Sequence, residues 1–194
     1  MTSKREDVVI TSSYLSGEET PLRSERYRVQ GIACKREQGE FNYCDGLQDV
    51  WMTDQIMVNV EHDMEFSDEL VDGLVNCPHP LCAYPYKVYP TALGRYIYCA
   101  TSRKPDPDTG METITWLDEG EEWAFWSSIG FCKIAPSART KPLDRLFWQW
   151  IEHSINRSVG EYMSADGQAG LAWHIHWPEV KHYHDYEKIP DHLW

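Results

Sequence analysis

The apolar residues of the N-terminal part of the chain fall into runs that predict strands. Residues 8–13 (Val-Val-Ile-Thr-Ser-Ser) predict a first strand that ends in hydroxyl side chains. The run from Ile56 to Val60 has no helical period, which is typical of a strand covered on both faces in a parallel or mixed sheet. Since ligands of such sheets bind at the carboxyl ends of strands, the residues after Val60 are candidates for a site.

Helical patterns separate and follow these strands. Residues 67–75 predict a short helix with Ser67 as its cap, and residues 142–153 predict a longer one. A mixed helical pattern covers 23–34, while 38–49 is predicted to be a loop. Together these elements predict an α/β fold with a mixed, mostly parallel sheet flanked by helices.

Length and composition indicate the number of domains and disfavour some classes of protein. The 194 residues, 42% of them hydrophobic, are expected to form a single domain over 1–194 with its own core. The net charge of -13 disfavours a broad surface that tracks phosphates. No run of 18 apolar residues and no signal sequence is visible, so we expect a soluble cytoplasmic protein without a membrane partner.

Two carboxylates follow the predicted central strand. Glu61 and Asp63 are two residues apart, so their side chains share one face if the strand continues. Converging carboxylates are ligands for a divalent cation. The alternative is that the acids simply end the strand before a loop.

The C-terminal segment carries four of the eight histidines. His174 and His176 form one His-x-His pair, and His182 and His184 form another. In an extended segment each pair projects to one side, where neutral imidazoles are ready ligands for a transition metal. We expect residues 173–194 to fold back over the site and bring His174 or His176 to Asp63.

The six cysteines are predicted to be mostly reduced thiols, because they are scattered through a chain large enough to fold without disulfides. The alternative is that Cys77 and Cys82 form half of a zinc site, with Cys99 nearby in the sequence. Their spacing differs from the common tight zinc knuckle. Pro78 and Pro80 favour a rigid loop instead.

The arrangement resembles a compact, trimmed glycosyltransferase of the GT-A type. The resemblance rests on the first strand at 8–13, the acidic motif after 60, an acid at Asp144 and the late histidines. Residues 60–86 and 130–186 are also similar to small glycosyltransferases of bacteriophage and actinobacterial origin.

The resemblance implies a function and a set of roles. Glu61 and Asp63, with His174 or His176, would hold Mn²⁺ or Mg²⁺ against the diphosphate of a nucleotide-sugar donor. The acceptor would be a hydroxyl of a saccharide, a protein or a modified base in phage DNA. The donor contacts would be Thr11, Ser12, Arg23 and Arg26, and Asp144 would be the base that activates the acceptor hydroxyl.

Two other functions fit the same residues. A metal-dependent hydrolase or phosphoesterase would use Asp63, His174, His176 and His184 to activate water. A noncatalytic carbohydrate-binding module would use exposed aromatic side chains, with Tyr84, Tyr86 and Trp177 as the candidates. The oligomeric state is left open.

Overall fold

The computed structural model describes residues 4–15, 22–34, 41–139, 142–143 and 173–182. Two α-helices lie in these ranges, α1 (Phe41–Trp51) and α2 (Asp68–Val75). The strands are β1 (Arg5–Leu15), β2 (Tyr27–Cys34), β3 (Ile56–Val60), β4 (Leu81–Ala83), β5 (Lys87–Val88), β6 (Ile97–Tyr98), β7 (Ala100–Pro105), β8 (Glu112–Trp116), β9 (Trp123–Ala124), β10 (Trp126–Ser127), β11 (Phe131–Ile134) and β12 (Trp173–Ile175).

The main sheet has seven strands in the order β2-β1-β3-β11-β4-β12-β9. Strands β1, β2, β3, β4 and β12 run in one direction, while β11 and β9 run in the other. A three-stranded sheet, β10-β7-β8, and the hairpin of β5 and β6 complete the strand pairing. The predicted mixed α/β fold is therefore confirmed, with few helices in the described part of the chain.

Strand β3 lies at the centre of the core, as its apolar run predicts. Met57 packs on one face in a cluster that includes Leu47 and Trp51 of α1. Val58 and Val60 pack on the other face, in a cluster that includes Leu74 of α2. The prediction of a strand covered on both faces is confirmed.

The predicted loop at 38–49 is wrong, because α1 occupies most of it. Tyr43, Leu47, Val50 and Trp51 are all buried, and their spacing places them on one helical face. Polar residues and Gly46 between them hide this pattern in the sequence. The helix is stabilised by burying that face against the sheet, so packing decides its conformation.

The predicted helix at 23–34 is also wrong, because most of this segment is β2. It pairs in parallel with β1 from Arg28 to Cys34. Tyr27 and Ile32 are buried, and the unpaired edge of β1 supplies the backbone hydrogen bonds that a strand needs. Strand β1 itself continues past Ser13 to Leu15.

The predicted helix cap at Ser67 is confirmed. Its side chain accepts a hydrogen bond of 3.3 Å from the backbone N–H of Leu70, and Asp68 and Glu69 occupy the first turn. Of the predicted helix at 142–153, only 142–143 lie within the described residues. In the described part of the chain, no helix combines the length and the apolar character needed to cross a bilayer.

A buried amide joins four elements at the carboxyl end of β3. The Asn59 side chain donates to Ile129 O at 2.7 Å and to the Tyr43 hydroxyl at 2.7 Å. Its Oδ1 accepts from the Thr11 hydroxyl at 2.8 Å. Asn59 is completely buried, so each of these bonds also avoids the cost of an unsatisfied polar group.

We expect Asn59→Ala to lower the free energy of unfolding by about 2 to 4 kcal/mol, because it leaves several buried donors and acceptors without a partner. Urea denaturation of the variant measures this. Asn76→Ala is the matched control, since Asn76 is exposed and its loss should cost less than about 0.5 kcal/mol. Equal costs for the two variants would show that the buried amide has no special role.

Candidate functional site

The turn after β3 places Glu61 and Asp63 at the carboxyl edge of the main sheet. The backbone N–H of Glu61 donates to Gly130 O at 2.8 Å, and the N–H of Met64 donates to Glu61 O at 3.1 Å. Both acids are half-buried. The turn is held on one side by the loop before β11, so the two carboxylates occupy a defined position.

The segment after β12 runs to this same edge. Met64 and His182 form an isolated antiparallel bridge, and the backbone N–H of Glu65 donates to Lys181 O at 2.7 Å. His182 Nε2 lies 3.3 Å from Asp63 Oδ2, with side-chain exposures of 6% and 13%. The C-terminal segment therefore reaches Asp63, and it does so through His182.

The ring of Tyr86 packs against the ring of His182. The two rings stack with centroids 4.5 Å apart and an interplanar angle of 21°. Gly130 lies directly against Tyr86, since a Cβ at that position would be 2.5 Å from Tyr86 Cε1. Only glycine allows this approach, which also brings Gly130 O to the amide of Glu61.

A cleft of about 510 Å³ opens beside His182. Tyr98 and Trp177 meet edge to face in its wall at 4.9 Å, and the indole N–H of Trp177 donates to Glu121 O at 2.8 Å. Lys87 Nζ lies 5.1 Å from the centre of the Tyr98 ring. The cleft thus combines rigid aromatic surfaces with charged groups, a composition suited to a polar ring such as a sugar.

A second group of chemically active side chains lies on the sheet between α2 and β12. The ligand atoms of Cys77, Cys82, His174 and His176 all lie within 4.8 Å of one another. Cys77 Sγ is 3.4 Å from His174 Nδ1, and His174 Nδ1 is 3.0 Å from His176 Nε2. Two softer sulfur donors and two imidazole donors in one place form a candidate site for a transition metal.

Three further side chains surround this cluster. Glu122 Oε1 lies 3.5 Å from His174 Nε2, the ring nitrogen that faces away from the cysteines. Lys133 is 2% exposed and donates to Cys77 O at 2.7 Å. The His79 ring packs on His174 with centroids 4.4 Å apart. The cluster is therefore enclosed by polar and aromatic neighbours.

Burial sets the protonation of the cluster. It lowers the pKa of His176 to about 4, and the charges of His174, Lys133 and His79 act in the same direction. Burial and His79 also lower the pKa of His174, against the opposing effect of Glu122. Both imidazoles are therefore neutral at pH 7, the form that binds metals. Burial raises the pKa of Cys82 to about 12, so a bound cation would have to displace its proton.

The structure separates the four predicted metal ligands into two places. His174 and His176 lie with Cys77 and Cys82, whereas Glu61 and Asp63 lie at the end of β3. Strands β11 and β4 stand between β3 and β12, which makes three strand spacings, or about 14 Å. This corrects the predicted grouping, because β12 enters the sheet beside β4 instead of crossing over β3.

The predicted donor contacts divide between the two edges of the sheet, since Thr11 and Ser12 lie on β1 beside the end of β3, while Arg23 and Arg26 precede β2 at the opposite edge. Thr11 and Ser12 are fully buried within β1, where Thr11 bonds to Asn59. Arg23 is exposed. Arg26, just before the amino end of β2, forms ion pairs with Glu69 at 2.6 Å and Asp72 at 2.5 Å.

The remaining predictions concern the catalytic base, the hydrolase and the carbohydrate-binding module. Asp144 lies outside the described residues, as does His184. A hydrolase built on Asp63 with His174 and His176 loses its predicted ligand set, because the two histidines lie in the other cluster. Two of the three aromatic side chains predicted to be exposed in a carbohydrate-binding module are buried, since Tyr84 and Tyr86 are 3% and 6% exposed.

Sequence reasoning did not join the cysteines to the histidines, although both halves are visible. Cys77 and Cys82 form one pair and His174 and His176 another, separated by 97 residues from Cys77 to His174. The parallel pairing of His174 with Cys82 brings them together. In the sequence, His182 stands out only as part of a second histidine pair.

No protein-family model matches the chain, and no curated protein matches it. The structure is similar to the crystal structure of A197 from STIV, with a TM-score of 0.52 and 12% sequence identity. The similarity covers 92% of this chain and 86% of that chain. At this identity the likeness shows a shared fold.

We expect Gly130→Ala to lower the free energy of unfolding by about 1 to 3 kcal/mol, because the added methyl group overlaps the Tyr86 ring. A double-mutant cycle with Tyr86→Leu, followed by urea denaturation, tests the cause. The cost of Gly130→Ala should shrink once the ring is gone. If Gly130→Ala lowers the free energy of unfolding equally with Tyr86 and with Leu at position 86, the strain does not come from the Tyr86 ring.

Proposed function

We propose that the chain transfers a sugar from a nucleotide-sugar donor to a hydroxyl acceptor at the carboxyl edge of its main sheet. The observation that carries the proposal is the position of Glu61 and Asp63 directly after the buried central strand β3, with His182 against Asp63. Ligands of open α/β sheets bind outside the carboxyl ends of the strands. The edge therefore has both the place and the charge expected for this chemistry.

The donor set at this edge fits a hard divalent cation. Glu61 and Asp63 offer carboxylate oxygens, and Mg²⁺ is commonly held by one or two carboxylates together with substrate phosphates. Mn²⁺ accepts the same ligands. When bound, such a cation neutralises the charge that develops on the diphosphate leaving group. Glu61 and Asp63 are the residues that would hold it.

His182 is a positioning residue in this proposal. Its Nε2 lies against Asp63 Oδ2, while its ring is fixed by stacking on Tyr86. A hydrogen bond to one oxygen orients the carboxylate, as partners of metal-binding carboxylates commonly do. Both side chains are largely buried.

The aromatic cleft next to His182 is the proposed position for a sugar ring. Tyr98 and Trp177 supply flat apolar surfaces, and their polar atoms are already bonded to Glu119 and Glu121. Lys87 and Lys181 line the same cleft and can donate hydrogen bonds to hydroxyl groups. Asp144 keeps its predicted role as the base, outside the described residues.

Calorimetry with UDP, GDP and ADP, with and without Mn²⁺, tests the proposal. We expect binding of one nucleoside diphosphate to depend on Mn²⁺, and Asp63→Asn to weaken it by about tenfold or more, because a charged ligand is lost. Asp7→Asn is the matched control, since Asp7 is exposed near the amino end of β1 and pairs with Arg5.

The outcomes separate the three functions. Nucleotide binding that needs the metal supports the transferase, and metal binding without nucleotide supports a hydrolase. Binding of neither leaves a carbohydrate-binding module. Unchanged Mn²⁺-dependent binding in the Asp63→Asn variant would remove this carboxylate from the site.

We expect His182→Ala to weaken Mn²⁺-dependent nucleotide binding by about threefold to tenfold, because Asp63 loses a hydrogen-bond partner that orients it. His182→Gln should restore most of the affinity, since its amide can donate to the same oxygen. Arg28→Ala, a change at an exposed residue of β2 away from the cleft, is the control. Failure of glutamine to rescue the affinity would contradict the positioning role.

A further inference from the structure

We propose that Cys77, Cys82, His174 and His176 form a structural Zn²⁺ site that fixes β12 to β4. Two cysteines and two histidines are a common ligand set for structural zinc, which takes four protein ligands in a tetrahedron. Four protein ligands leave no open coordination position for a substrate. The site shares no residue with the proposed site of glycosyl transfer.

The distances in the cluster fit such a tetrahedron. With ordinary zinc–sulfur and zinc–nitrogen bonds, its edges are about 3.3 to 3.8 Å long. The separations of 3.4 Å from Cys77 Sγ to His174 Nδ1 and of 3.0 Å from His174 Nδ1 to His176 Nε2 are close to these values. All four ligand atoms lie within 4.8 Å of one another, so small side-chain rotations complete the geometry.

The neighbours of the cluster also suit a metal. Glu122 faces His174 Nε2, and a carboxylate on the second ring nitrogen is a typical partner of a zinc-bound histidine. This contact directs the Nδ1 lone pair of His174 towards the cysteines. Burial raises the pKa of the Cys82 thiol, and the nearby Lys133 ammonium partly opposes this effect.

The site explains how a very short strand is kept in a seven-stranded sheet. Strand β12 has three residues, and its pairing with β4 spans His174 to Cys82 and Ile175 to Ala83. A bond network through zinc links this strand to β4 and to the loop that carries Cys77. Zinc would thereby fix the start of the segment that brings His182 to Asp63.

Metal analysis of the full-length chain tests the proposal. The protein, purified with added Zn²⁺ and passed through a desalting column, should carry about one zinc ion per chain by mass spectrometry of the metal. Cys82→Ser and His174→Gln should each lower that content about tenfold or more, because each removes a ligand. Cys34→Ser is the matched control, since Cys34 ends β2, four strands from β4 in the sheet order.

Co²⁺ substitution keeps the test valid if a variant fails to fold. Wild-type protein stripped by a chelator and loaded with Co²⁺ should show the intense visible bands of tetrahedral cobalt and a thiolate charge-transfer band. Stripping the metal should also speed hydrogen exchange at the amides of His176 and Glu65, which bond to Ala83 O and Lys181 O. A zinc content near zero, an octahedral cobalt spectrum or a Cys77–Cys82 disulfide in the purified protein would overturn the proposal.

Discussion

The parallel pairing of β12 with β4 is the constraint on which both candidate sites depend. Its register places His174 opposite Cys82, on the same side of the sheet as the loop that carries Cys77. The chain then continues for seven residues from Ile175 and reaches Asp63 with His182. A shift of one residue would turn His174 and His176 to the opposite face, because side chains alternate along a strand. One register therefore sets the geometry of the Cys/His cluster and the position of His182 beside Asp63.

The acidic edge depends in addition on the polar core beneath it. Asn59 links β3 to Tyr43 of α1, to Thr11 of β1 and to Ile129 before β11. Burial and the nearby charge of Glu61 raise the pKa of Tyr43 well above its ordinary value, so its hydroxyl stays protonated at physiological pH. Glu61 thus projects from a backbone that is held on several sides. Such rigid support is what a site needs if it is to hold ligands in a fixed geometry.

The sequence predicted those elements whose signal is local. The apolar run of β3 and the serine cap of α2 each lie within a few residues, and both appear where expected. Local patterns predict α1 and β2 wrongly, because packing on the sheet and pairing with β1 decide their conformation. Both halves of the Cys/His cluster are visible in the sequence as pairs, but no local pattern indicates that His174 lies beside Cys77. That contact depends on strand order, which short patterns do not encode.

The two proposed sites would divide the labour, with soft ligands organising the fold and hard ligands serving the chemistry. Thiolate and imidazole favour Zn²⁺, whereas carboxylates favour Mg²⁺ or Mn²⁺, so the two ions need not compete. The most direct measurement is an anomalous difference map from crystals grown with Zn²⁺ and soaked in Mn²⁺ and UDP, recorded on both sides of the zinc edge. The account predicts a zinc peak among Cys77, Cys82, His174 and His176, and a separate manganese peak at Glu61 and Asp63. A single shared peak, or density at neither position, would contradict it.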